Sequence, residues 1–150
     1  MSKEPGQAQI AGDGGDSSAY AQFTHFAQFF RVPSRDFKRA HDSFISKKGL
    51  SLYFTSATCG SDPSPPGCRP GFGGWDIFVC QRATVNDPWG PAQNLGPAIN
   101  TPYNEGAPSL SVDGHRMYFA SNRPGGFGGN DLYVSRRHDK RDDFGWQPPE

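Results

Sequence analysis

The chain has 150 residues, of which 19 are Gly and 14 Pro, with 34% hydrophobic, 13% aromatic and 20% charged residues; so many turn formers exclude a long-helix or coiled-coil protein and suit packed strands. Fifteen basic residues balance fifteen acidic ones, for a formal net charge of zero, so no cationic excess is present to hold phosphates and nucleic acid is not an expected partner. Mean hydropathy is negative, and no apolar run approaches the roughly 18 residues that a bilayer span needs, so no transmembrane segment is expected.

In chain order, residues 1–20 (MSKEPGQAQIAGDGGDSSAY) read as a flexible leader, because so little apolar surface does not offset the backbone entropy lost on folding. They contain no basic patch followed by an apolar run, so they do not read as a secretory signal. Residues 21–40 read as a partial repeat remnant or a linker. Internal repeats then organise the rest. Gly49-Leu50-Ser51-Leu52-Tyr53-Phe54-Thr55-Ser56 aligns with Gly114-His115-Arg116-Met117-Tyr118-Phe119-Ala120-Ser121, and Ala27-Gln28-Phe29-Phe30 with Ala92-Gln93-Asn94-Leu95, both displaced by 65 residues. Phe72 to Val79 aligns with Phe127 to Val134 at a displacement of 55. The difference of ten is the loop CGSDPSPPGC, inserted in the first copy before Arg69-Pro70-Gly71, the counterpart of Arg123-Pro124-Gly125. Two units are therefore expected, 41–105 with the Cys59–Cys68 insertion and 106–150.

Each unit carries four strand signals. In the second, Ala107 to Ser111 is short and extended, and Val112-Asp113-Gly114 is a turn of the type that joins antiparallel strands. His115 to Ser121 alternates, the run RPGGFGGN breaks it, and Asp131 to Arg136 forms the third strand. Trp146-Gln147-Pro148, like Trp89 to Leu95 in the first unit, is expected as an edge strand, where Pro is tolerated. A four-stranded antiparallel meander repeated in tandem predicts an all-β fold of β-propeller blades. Three readings stay open for Cys59 and Cys68: a disulfide closing the loop, free thiols, or a metal site, which would lack two of the four ligands of structural zinc. Cys80 reads as a buried strand residue. An oxidised pair would belong to an oxidising compartment.

The segments Ser109 to Gly114, Tyr118 to Val134, Trp89 and Asn94 to Glu105, in the pattern Ser-Leu-Ser-x-Asp-Gly, Tyr-Phe-x-Ser-Asn-Arg-Pro-Gly-Gly-Phe-Gly-Gly-x-Asp-Leu-Tyr-Val, Trp and Asn-Leu-Gly-x-x-Ile-Asn-x-x-x-x-Glu, resemble the WD40-like β-propeller repeat of TolB-type proteins. The resemblance covers about residues 41 to 150, with a weaker trace back to Ala27. The first copy departs from it where Lys47-Lys48-Gly49 replaces the Asp-Gly turn. The resemblance implies a bacterial protein that is periplasmic, secreted or attached to the cell envelope, in which binding is commoner than catalysis. Because known propeller rings close with four to eight blades, two blades and a remnant imply an incomplete propeller, a piece of a longer protein or a protomer that takes further blades from another chain.

Among conspicuous residues, Asp76 and Asp131 each end a Gly-Gly-x-Asp turn, where a carboxylate can accept backbone N–H bonds and hold the hairpin. The calcium β-roll alternative requires nonapeptide repeats rather than this period, and no cofactor or metal is expected. Asp142 and Asp143, in the charged run RRHDKRDD, read as a solvated loop. Trp89 and Trp146 repeat and read as blade packing. Trp75 has Asn130 in its place in the second copy, so it joins Arg69 and Arg123 as a candidate contact for a sugar or peptide. Two function classes follow. One is a non-catalytic scaffold that binds a protein or glycan. The other is a propeller-based hydrolase or lyase with Asp76, Asp131, Glu105 and Arg123 meeting at a central channel.

Overall fold

The computed structural model describes residues 40–59 and 69–150. The expected leader at 1–20, almost all of the remnant at 21–40, and Cys68 lie outside the described residues. Within them the protein is all-β, with two antiparallel sheets and no helix. Strands β1 (Ala40–Ile45), β2 (Ser51–Ala57), β3 (Trp75–Gln81) and β4 (Gln93–Asn94) form the first sheet in sequential order. Strands β5 (Glu105–Leu110), β6 (Arg116–Ser121) and β7 (Asp131–Arg136) form the second.

The expected second four-stranded sheet is thus a three-stranded one with an interrupted edge. The Trp146 segment does lie along β7: Gln147 N donates to Arg136 O at 2.8 Å, and Val134 and Glu150 exchange a pair of N–H to O bonds at 3.0 Å each. Pro148 and Pro149 have no N–H to give, so the ladder does not run on as a regular strand.

The displacement of 65 residues reappears as shared geometry. The turns before β2 and β6 close with Gly49 N donating to Ser46 O at 2.7 Å and Gly114 N to Ser111 O at 2.9 Å. Both glycines hold positive φ, 69° and 77°, a conformation that a side chain would strain. The first strand of each sheet carries a register shift, and there Asp42 (φ 41°) and Ala107 (φ 52°), again 65 positions apart, are the non-glycine residues with positive φ among the described residues. Such bulges twist a strand locally.

Alternation fixes which faces meet. On β2 and β3, residues pointing one way (Tyr53, Ile77, Val79) pack with Leu95, Ile99, Leu110, Met117, Phe119 and Trp146 into a core between the sheets. Residues pointing the other way (Leu52, Phe54, Phe78, Cys80) join Ala40 and Trp89 in a second buried cluster. Both central strands of the first sheet are therefore apolar on both faces, whereas β6 is buried only on alternate residues, Met117, Phe119 and Ser121. Cys80 is a fully buried thiol, while Cys59 is disulfide-bonded.

Candidate functional site

Three polar arrangements border the two buried clusters. In each unit an arginine from the Arg-Pro-Gly run lies over the aromatic pair of its own sheet: Arg69 over Phe54 and Phe78 at 5.7 and 5.5 Å, Arg123 over Phe119 and Tyr133 at 5.2 and 5.0 Å. Each also donates through Nε to a serine near the end of its sheet's second strand, Ser56 at 3.3 Å and Ser121 at 3.1 Å. At the other end of the sheets Arg82 stacks on Trp89 (4.2 Å) and donates to Gly49 O (2.7 Å), and Arg137 stacks on Trp146 (4.4 Å) and donates to Gly114 O (2.8 Å). A guanidinium is suited to this double duty, since its face meets the ring while its edge donates.

The loop-side seam gathers Asp76, Asn94, Asn100, Glu105 and Arg123. Asp76, fully buried, accepts from the backbone N–H groups of Phe72 (2.7 Å) and Gly73 (3.1 Å) and from Asn94 Nδ2 (2.7 Å). Burial is the largest influence on its carboxyl and pushes it above the ordinary carboxylate value; the three donors oppose this and the nearby Glu105 charge adds to it. Asn100 fills both hydrogen-bonding positions of the Ile77 backbone, at 2.8 and 2.9 Å. Glu105 accepts from Thr101 N (2.8 Å), Thr101 Oγ1 (2.6 Å) and Ser121 Oγ (2.7 Å) and pairs with Arg123 at 3.2 Å. Arg123 also donates to Ile99 O at 2.5 Å.

Of the four residues of the hydrolase or lyase reading, the structure brings Glu105 and Arg123 into contact and places Asp76 within electrostatic reach of Glu105. Asp131 stands apart: its carboxylate accepts from Gly128 N at 3.4 Å within its own loop. The two sheets stack face to face and close no ring. Trp75 is half-buried, with its ring edge-on to His41 at 4.9 Å and its backbone bridged to Asn104.

Asp143 corrects the sequence reading. It is not solvated but buried, and the loop after β7 carries it back onto the first sheet. There it accepts from Ser51 Oγ (2.6 Å), Gln81 Nε2 (2.8 Å), Arg137 Nη1 (2.8 Å) and the Tyr53 hydroxyl. Burial, the largest single influence, would raise its carboxyl, yet the four donors together hold it below the ordinary carboxylate value. Burial and the Asp143 charge push the Tyr53 phenol strongly up, so Tyr53 stays a neutral donor. Asp142 beside it is exposed, as expected. In the sequence Asp143 is one acid within a charged run, and nothing local marks its burial.

Beside this network a cleft of about 700 Å³ opens between the Ser46–Leu50 and Ser111–Gly114 turns. Its lining combines apolar residues such as Phe44, Ile45 and Val112 with Lys47, Lys48 and Lys140. The sequence signal for it was the departure of Lys47-Lys48-Gly49 from the Asp-Gly turn, and the charged run before Asp143. No family model matches the chain, and no curated protein or solved structure shows significant similarity to it.

Proposed function

We propose that the chain is a β-propeller-type repeat module, built of two blade-like meanders, that serves as a non-catalytic scaffold binding a protein or glycan partner, as part of a periplasmic, cell-envelope or secreted bacterial protein. The observation that carries this reading is an open sheet face. Tyr53 and Ile77, on the face of the first sheet that receives the second, are 0% exposed; their counterparts Tyr118 and Leu132, on the outward face of the second sheet, are 37% and 75% exposed. The same pattern that buries one sheet against its neighbour is thus offered again, and a further meander presenting side chains like Met117, Phe119 and Tyr133 fits it. Apolar surface of this kind marks an interaction site, and successive repeats each cover the next in such architectures.

Three of the four groups of the hydrolase or lyase reading are engaged in internal bonds, Asp76 in its turn and Glu105 and Arg123 with each other, while Asp131 accepts one N–H within its own loop. That supports binding over turnover. A protein and glycan array, run beside a glycosidase and peptidase screen, tests the choice. Retention of a ligand without turnover is the expected result; hydrolysis or elimination that Glu105→Gln abolishes would transfer the function to the rival class.

A further inference from the structure

We infer that the cleft between the β1–β2 and β5–β6 turns binds an acidic peptide segment through an apolar anchor side chain, an inference that rests on the binding-module reading and names its ligand. Phe44, Ile45, Leu50 and Leu110 give the cleft its apolar side. Lys47 and Lys48 on one turn and Lys140 on the loop after β7 give it a cationic one.

The balance of pairing decides the sign of the cleft. Among the described residues two acids line it, Asp143, which is matched by Arg137, and Asp113, which keeps its charge beside Ser111 Oγ at 2.5 Å and the His115 N–H at 3.0 Å, against six cations, Lys47, Lys48, Arg82, Arg137, Lys140 and Arg141. Arg137 is matched by Asp143 and Arg141 by Asp139. Lys47, Lys48 and Lys140 are exposed, and none forms an ion pair among the described residues. A neutral chain thus concentrates unmatched positive charge at one concave place, where low-dielectric walls focus the field on an anionic ligand. The groove continues past Lys140 to His115 and Arg116, a course that suits an extended chain. Its volume lies in the range of sites that enclose a small ligand or an anchoring side chain.

The apolar side favours a peptide over an acidic glycan. It is mostly aliphatic, with Phe44 as the one aromatic ring in the lining among the described residues, so it offers shape and dryness to a Leu or Phe anchor rather than a stacking plate to a sugar. Carboxylates flanking that anchor would meet the lysines.

Fluorescence anisotropy on the full chain tests this with a labelled peptide of Glu residues around a central Leu-Phe pair. The comparisons are its Gln-for-Glu counterpart, its Ala-for-Leu-and-Phe counterpart and a labelled sulfated oligosaccharide. The acidic, anchored peptide should bind at least tenfold more tightly than either counterpart and weaken as salt rises, because its charge contacts are exposed. Combining Lys47→Glu with Lys48→Glu should cost at least tenfold in affinity, about 1.4 kcal/mol. Val112→Asp, at an exposed position on the cleft wall, should do likewise, with circular dichroism confirming that each variant remains folded. Equal binding of the Gln peptide, or unchanged affinity in the lysine variant, overturns the inference. So does binding of the oligosaccharide alone, an outcome that leaves the binding-module reading standing. Turnover in the hydrolase screen with no peptide bound removes both.

Discussion

Asp143 and Arg137 show how much a single pair can hold. Their side chains are 4% and 3% exposed, and Asp143 also accepts hydrogen bonds from two residues of β2 and one of β3, so it ties the segment after β7 to the first sheet. Asp143→Ala would strand a buried guanidinium, and we expect a loss of about 3–5 kcal/mol in urea unfolding. The pH dependence carries a sign. A carboxyl held below its ordinary value contributes stability that is fully present above the unfolded value near pH 4 and is lost as pH falls through the lower folded value. The stability gap between the wild type and Asp143→Asn should therefore narrow below about pH 4; a gap that stays constant down to pH 2 would contradict this account. Asp76, raised by burial, acts in the opposite sense: its contribution is present below the unfolded value and is lost as pH rises through the raised folded one. Ala107 offers a backbone test. Its φ of 52° carries a strain of about 1–2 kcal/mol for a residue with a Cβ. Ala107→Gly should then leave the melting temperature unchanged or raise it slightly, where the same change in an ordinary strand lowers it.

Among the elements, the loop before β3 is the least forgiving. Gly73 is buried against the segment that leads into β5, and a Cβ there would fall onto the Tyr103 carbonyl oxygen, with the Thr101 oxygen also too close. Both are backbone atoms that no rotamer change moves aside. Gly73→Ala should cost about 2–3 kcal/mol, while Gly96→Ala, with open space around its Cβ and φ of 82°, should show only its backbone strain of about 1–2 kcal/mol. A thermal melt of the two variants separates the effects. The fold at this level was largely legible: the turns at Gly49 and Gly114, the strands at Ser51, Trp75, Arg116 and Asp131, and the burial of Cys80 follow from alternation and Gly placement. The regular fourth strand of the second sheet was not, because a Trp-Gln-Pro-Pro segment aligns by pattern with Trp89 to Leu95 while its paired prolines remove the donors that a ladder requires.

For the whole molecule, the two sheets relate head to tail, each using a different face of the same pattern. Such a heterologous contact leaves a complementary face open at its end, and closure or continuation depends on what covers it. On the outward face, Tyr118 and Leu132 stand where the first sheet has the buried Tyr53 and Ile77. Light scattering across a concentration series should show association at high concentration, and Leu132→Asp should suppress it by placing a carboxylate on that face. A monodisperse monomer of 16.4 kDa at every concentration, unchanged by the substitution, would set aside the propeller reading of this face.

The sequence by itself determined the β class and the positions of the turns, because these rest on local chemistry: period-two alternation and positive φ at Gly. What only the tertiary structure decided is which charges are in contact. Glu105 and Arg123 lie 18 residues apart, and Asp143 and Tyr53 90 apart, and no local pattern encodes such pairings. Burial is likewise a property of what packs opposite, so Tyr53 and Tyr118, identical in their repeat position, end as a sealed hydrogen-bond donor and an exposed ring.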